Sequence, residues 1–108
     1  MTTSPYSTLS IKQGSTFEKS IPATVAQDLG FTDLVGVTVT SSIVTVDSME
    51  HKLTVVIPDA TQLTFNVSAN TTGWKVGEAN WDIKFTRPDG RVAYSPTVPV
   101  RIAKRFTT

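Results

Sequence analysis

The chain has 108 residues and a formal charge of +1, because ten Lys and Arg residues nearly balance nine Asp and Glu residues. This length suits one domain with its own hydrophobic core, and the near-neutral charge argues against DNA or RNA as the main partner. The sequence has no cysteine, which excludes disulfides and thiolate metal sites and favours a cytosolic or virion setting.

Two short apolar alternations open the chain. Residues 8–13 alternate polar and apolar side chains, and residues 16–21 do so more weakly after an interruption at Gly14. This pattern predicts either two strands or one strand broken by a glycine bulge, and Pro22 ends it. The next segment, residues 22–34, has no period of two, and its weak helix signals fit either a single helical turn or a plain loop.

Three further strands are predicted in the middle of the chain. Residues 35–43, 52–57 and 62–68 each alternate apolar with polar side chains, and Pro58-Asp59 separates the last two. Alternation of this kind is typical of strands that have one face against a core. The segment 70–77, which contains Trp74, is predicted to be a loop.

The clearest strand signal lies at residues 79–86. Large apolar and polar side chains alternate strictly there, with Trp81 as the largest. The following Asp89-Gly90 predicts a hairpin turn that leads into a strand at residues 91–94.

The last predicted strand covers residues 98–102 and contains Pro99. Because proline cannot donate a ladder hydrogen bond, we expect this strand at a sheet edge. Arg101, Lys104 and Arg105 make this end of the chain locally basic. The basic end predicts either a solvated terminus or a surface that docks on an acidic partner.

Together these elements number seven or eight short strands at a spacing of about 8–12 residues, which predicts an all-β, mostly antiparallel sandwich. We expect one domain over residues 1–108, with residues 1–7 flexible and residues 103–108 as a C-terminal tail. The expected core consists of Val37, Val39, Leu53, Val55, Phe65, Trp81, Ile83 and Phe85.

No group of side chains has the sequence spacing of a catalytic or metal site. His51 is the only histidine, lies among charged neighbours, and is expected to be a solvated loop residue. The carboxylates are scattered, without a calcium-loop pattern. We therefore predict no enzyme activity, no catalytic residue, no metal and no cofactor. The sequence also lacks a signal-peptide pattern and any apolar run of membrane-spanning length, so no membrane partner is expected.

Trp74 and Tyr94 are the aromatic residues considered for a binding surface. Ring faces of such side chains pack on the apolar faces of sugars, although packing in or beside the core is their more frequent role. Both interpretations stay open from sequence. The candidate residues for binding a partner protein are Trp74, Arg101, Lys104 and Arg105.

Five stretches along the chain form one layout: residues 14–17, 33–39, 74–83, 89–90 and 98–100. This layout is similar to that of small immunoglobulin-like β-sandwich domains of tailed bacteriophages and prophages, including the N-terminal domains of upper baseplate proteins and short tail-associated proteins. The resemblance implies an immunoglobulin-like antiparallel sandwich, and this family carries no catalytic residues.

The resemblance further implies a non-enzymatic structural or interaction protein of a phage or prophage virion, in its tail, baseplate, fibre attachment or head surface. Such a protein would be made in the host bacterial cytoplasm and would contact other virion proteins, with a homo-oligomer in a symmetric assembly as one arrangement. The alternative expectation is a carbohydrate-binding sandwich that uses Trp74 and Tyr94. The single histidine argues against a hydrolase.

Overall fold

The computed structural model describes residues 9–105 of the chain. Their strands form two sheets, one in the order β1-β9-β7-β3-β4 with β8 beside β7, and one in the order β2-β6-β5. The sheets enclose one hydrophobic core, which confirms the predicted all-β sandwich. The elements are β1 (Leu9–Lys12), β2 (Thr16–Ile21), α1 (Ala23–Asp28), β3 (Thr38–Val44), β4 (Glu50–Lys52), β5 (Thr54–Val56), β6 (Phe65–Asn70), β7 (Gly77–Thr86), β8 (Val92–Tyr94) and β9 (Val98–Ala103).

The sheet order is that of an immunoglobulin-like sandwich. β2, β5 and β6 take the places of strands B, D and E, while β3, β7 and the β8/β9 pair take those of C, F and G. In a constant-type immunoglobulin domain the first strand lies beside strand B. Here β1 runs parallel to β9 in the larger sheet instead. Among the described residues, β2 therefore pairs only with β6, and its other edge is free.

The two sheets are joined by an aromatic contact between β2 and β7. The rings of Phe17 and Trp81 meet edge to face with their centroids 5.6 Å apart. Trp81 Nε1–H donates to Ser41 Oγ at 2.7 Å, and the Ser41 hydroxyl donates to the Asp82 carbonyl at 2.9 Å. Antibody domains join the equivalent strands, B and F, by a disulfide. In this cysteine-free chain, aromatic packing links the corresponding strands, and the hydrogen bond ties Trp81 to β3 within its own sheet.

Most of the predicted core is confirmed. Val37 and Val55 are half-buried and pack against the core from its margin. Val35, at the start of the predicted third strand, is 56% exposed because β3 begins only at Thr38. The predicted core residues that are buried are Val39, Leu53, Phe65, Trp81, Ile83 and Phe85.

The segment after Pro22 forms the short helix α1, so the plain-loop alternative is wrong. Pro22 occupies the N-cap position and makes no side-chain cap hydrogen bond. Ala26 is fully buried and holds the helix against the core. Gly30, with φ of +88°, donates its N–H to the Gln27 carbonyl at 3.0 Å and ends the helix as a C′ glycine.

The prediction of one strand at residues 52–57 is wrong, because the chain changes sheets at Leu53. β4 belongs to the larger sheet and β5 to the smaller one. Leu53 N–H donates to the Ser41 carbonyl at 2.8 Å, and its side chain is buried between the two short strands. This division brings residues 9–105 to nine strands rather than seven or eight.

The predicted edge position of residues 98–102 is also wrong. β9 lies inside the larger sheet, between β1 and β7. Its described pairing with β1 runs from Val100 to Ala103, and on its other side Pro99 lies opposite Asn80 of β7. β9 also includes Ala103, which the sequence assigns to the C-terminal tail. The predictions for residues 1–7 and 106–108 lie outside the described range.

Candidate functional site

A cleft of about 470 Å³ opens between the two sheets beside the free edge of β2. Its walls come from β1, β2, α1, β7, β9 and the connection between β8 and β9. Much of the lining is apolar, with contributions from Leu9, Ile21, Val25, Leu29, Trp81 and Val98. The cleft thus combines a hydrophobic floor with a strand edge that no described residue pairs with.

The topology explains why this side of the sandwich is open. No described strand covers the outer edge of β2, and β7 has an uncovered stretch where β8 ends and β9 has not yet begun. Ser95 holds the chain at this break: its hydroxyl accepts the Ile83 N–H at 2.9 Å, and its own N–H donates to the Ile83 carbonyl at 2.9 Å. Pro96 follows and has no N–H to continue the ladder. The rim of the cleft is therefore fixed to β7.

Helix α1 and the turn after it form one wall of the cleft. Val25 and Leu29 are four residues apart, so they share a helical face, and both line the cleft. Asp28 also lines it and is exposed. The same wall thus offers apolar side chains and a carboxylate.

The cleft carries an excess of negative charge. Its charged lining residues are Asp28, Asp82 and Lys19, which give two carboxylates and one ammonium. Within residues 9–105 the one ion pair is Arg91 with Asp89, at 3.4 Å. The charges around the cleft are thus available to a bound partner.

Trp74 is not a surface aromatic, contrary to its predicted role in binding. It is only 3% exposed, and its ring stacks on His51 with centroids 4.7 Å apart. The Gln13 side-chain amide also donates to the Trp74 carbonyl at 2.6 Å. Tyr94, by contrast, is 55% exposed on β8. The two aromatics predicted as a sugar platform therefore differ completely in accessibility.

His51 is not the solvated loop residue that the sequence predicted. It is half-buried in β4, and its Nε2 lies 3.1 Å from the hydroxyl of Thr45. Thr45 is buried and donates its hydroxyl proton to Asp47 Oδ1 at 2.5 Å. That hydrogen bond, with a further one from the Met49 N–H, holds the pKa of Asp47 below its ordinary value. The histidine therefore has a structural role in a small polar network.

The three basic candidates all lie near the end of β9 that is remote from the cleft. Arg101, Lys104 and Arg105 are exposed. Arg101 and Lys104 line a shallow groove of about 360 Å³ together with Val76, and the Arg105 guanidinium lies over Gly14. These side chains are exposed, and none of them lines the cleft.

In comparisons with known proteins, no family model matches the chain and no curated protein matches it. Among residues 9–105, no three His, Cys, Asp or Glu side chains are grouped so that they could hold a metal ion. No helix in this range is long and apolar enough to cross a membrane.

Proposed function

We propose that this protein is a non-enzymatic assembly module that binds an extended segment of a neighbouring protein in the cleft beside β2. The observation that carries this proposal is an apolar cleft that runs along an edge of β2 left unpaired within residues 9–105. A free edge offers N–H and C=O groups to an added strand, and adjacent pockets select its side chains. Binding by strand addition needs no further chemistry.

The proposed setting is a phage or prophage virion, in which the neighbours are other virion proteins of the tail, baseplate, fibre attachment or head surface. The support is the likeness of the sequence layout to phage immunoglobulin-like domains, together with the immunoglobulin-like sheet order. A rigid sandwich that presents a fixed groove suits repeated assembly contacts.

Catalysis has no part in this proposal. None of the cleft-lining residues is a histidine or cysteine, and the one histidine of the chain stacks on Trp74. The proposed function of the protein is therefore to bind and position a neighbouring protein.

One observation favours a second candidate function, carbohydrate binding. Tyr94 and its near neighbour Val92 are both about half exposed on the short strand β8. An exposed aromatic ring beside an apolar side chain suits the apolar face of a sugar. This candidate uses a different surface from the cleft.

The two candidates are separated by co-purification. After prophage induction, we expect the protein to sediment with particles and to remain bound at physiological salt. Recovery of the protein only in the soluble fraction would contradict the virion proposal. Glycan-array binding that is lost in Tyr94→Ala but kept in Val25→Arg, which places a long cation in the cleft, would favour the carbohydrate alternative.

A further inference from the structure

We infer that the occupant of the cleft is the basic C-terminal segment of a second copy of this chain, so that copies join head to tail. This inference rests on the proposed function, because it names the partner of the same cleft. It makes one surface of each copy the receptor and another surface the ligand.

Charge and polarity match between the two surfaces. The cleft has an apolar floor with Asp28 and Asp82 among its lining residues and only one lysine. The C-terminal segment begins with Lys104 and Arg105, both exposed, and the sequence continues with Phe106. Two cations next to an aromatic side chain complement an acidic, apolar groove, and opposite charge speeds the encounter of the two surfaces.

The position of the segment favours a second copy over the same molecule. Val98 lines the cleft, whereas Ala103 is at the other end of β9. The six residues of the strand separate these ends by about 17 Å at about 3.3 Å per residue step. The segment therefore leaves β9 at the end away from its own cleft, which favours the cleft of a second copy as its binding site.

A contact of this kind is heterologous, because each copy contributes a different surface to it. Repetition of such a contact gives a ring if the rotation closes and a filament if it does not. Either product is a symmetric or repeating assembly of the type that a structural component of a particle forms. The self-association is therefore expected to depend on concentration and on ionic strength.

The test uses two variants of the full chain in sedimentation-velocity experiments. Asp28→Lys reverses a charge in the cleft and leaves the C-terminal segment intact, whereas a chain that ends at Ala103 keeps the cleft and loses the segment. We expect wild type to self-associate and each variant to be monomeric, with affinity lower by about tenfold or more. An equimolar mixture of the variants should form one-to-one dimers and nothing larger. Glu18→Lys is the matched control, since it makes the same charge change on β2 outside the cleft lining.

A charge exchange adds a positive test that a folding defect cannot imitate. Asp28→Lys combined with Lys104→Glu and Arg105→Glu in one chain should restore self-association. A monomeric wild type, a mixture that does not pair, or loss of association in the Glu18→Lys control would overturn the inference. Particle co-sedimentation of a wild-type chain that does not self-associate would overturn this inference alone and leave the proposed function standing.

Discussion

The contact between Phe17 and Trp81 predicts a large and coupled loss of stability when either ring is removed. Trp81 is 6% exposed, so Trp81→Ala should lower the free energy of unfolding by about 3–5 kcal/mol. Of this loss, about 0.5–1.5 kcal/mol belongs to the edge-to-face pair. A similar amount, about 0.5–1.5 kcal/mol, belongs to the hydrogen bond with Ser41. Since small domains have about 5–15 kcal/mol of stability, Trp81→Ala should fold but be much weakened.

A double-mutant cycle isolates the interaction energy of the Phe17 and Trp81 rings. Urea unfolding of wild type, Phe17→Leu, Trp81→Ala and the double variant should be followed by far-ultraviolet circular dichroism, because Trp81→Ala removes a fluorophore. The expected coupling energy is about 0.5–1.5 kcal/mol, with unchanged urea dependence of the unfolding free energy. Val92→Ala, on the exposed strand β8, is the control and should stay within about 0.5 kcal/mol. Additive losses from the two substitutions would refute the view that this contact joins the sheets.

Three further predictions concern local features. Ser48 has a φ of +66° in the β3–β4 turn, so Ser48→Gly should raise the urea midpoint, with a gain of about 1 kcal/mol. The hydroxyl and then the N–H of Thr61 hold the pKa of Asp59 below its ordinary value. These hydrogen bonds stabilise the folded state above the pKa of Asp59 in the unfolded chain, about 3.9, and the stabilisation is lost as pH falls through its lower pKa in the folded state. Asp59→Asn removes this titrating group. The urea midpoint of that variant should therefore fall less steeply at acid pH than that of wild type. His51→Ala should cost about 1 kcal/mol in urea unfolding, because the Trp74 ring loses its stacked partner.

Each of these predictions has a control and a contrary result. Gly90, at φ of +90° in the β7–β8 turn, should lose about 1 kcal/mol on substitution by Ala, and a loss of stability in Ser48→Gly would show that the turn geometry is misjudged. Thr61→Val should flatten the acid limb as Asp59→Asn does. A change below about 0.5 kcal/mol in His51→Ala would return His51 to the solvated role that its charged sequence neighbours suggested.

The features that sequence could predict are those governed by local pattern. Residues 79–86 alternate so strictly that β7 could be placed almost to its ends. The Asp89-Gly90 turn was equally clear, and the structure shows it as a hairpin with Gly90 N–H donating to the Arg87 carbonyl at 2.9 Å. In both places the local preference and the global fold agree.

The features that sequence missed depend on which strands become neighbours. The change of sheet at Leu53 preserves the apolar alternation, so residues 52–57 look like one strand. Pro99 suggests an edge strand, but β9 lies between β1 and β7 in the larger sheet. Trp74 belongs to the hydrophobic core and stacks on His51, which is distant in sequence. None of these contacts has a local signature.

The cleft could not be predicted for the same reason. It exists because β1 pairs with β9 rather than with β2, and because the pairing of the chain with β7 is interrupted between β8 and β9. The one local signal was Pro96, which stands between two strand patterns and has no N–H to continue a ladder. Its effect on the surface depends on β7, which is covered by neither β8 nor β9 at that point.

Particle incorporation of a cleft-blocked variant tests the central claim most directly. Val25→Arg places a long cation on the cleft wall, whereas Thr24→Arg places it on the same helix outside the cleft lining. Both variants should be checked for wild-type circular dichroism and then measured by quantitative co-sedimentation with particles at physiological salt. We expect Thr24→Arg to be incorporated like wild type and Val25→Arg to fall by about tenfold or more. Equal incorporation of the two folded variants would contradict the claim that the cleft beside β2 is the binding site.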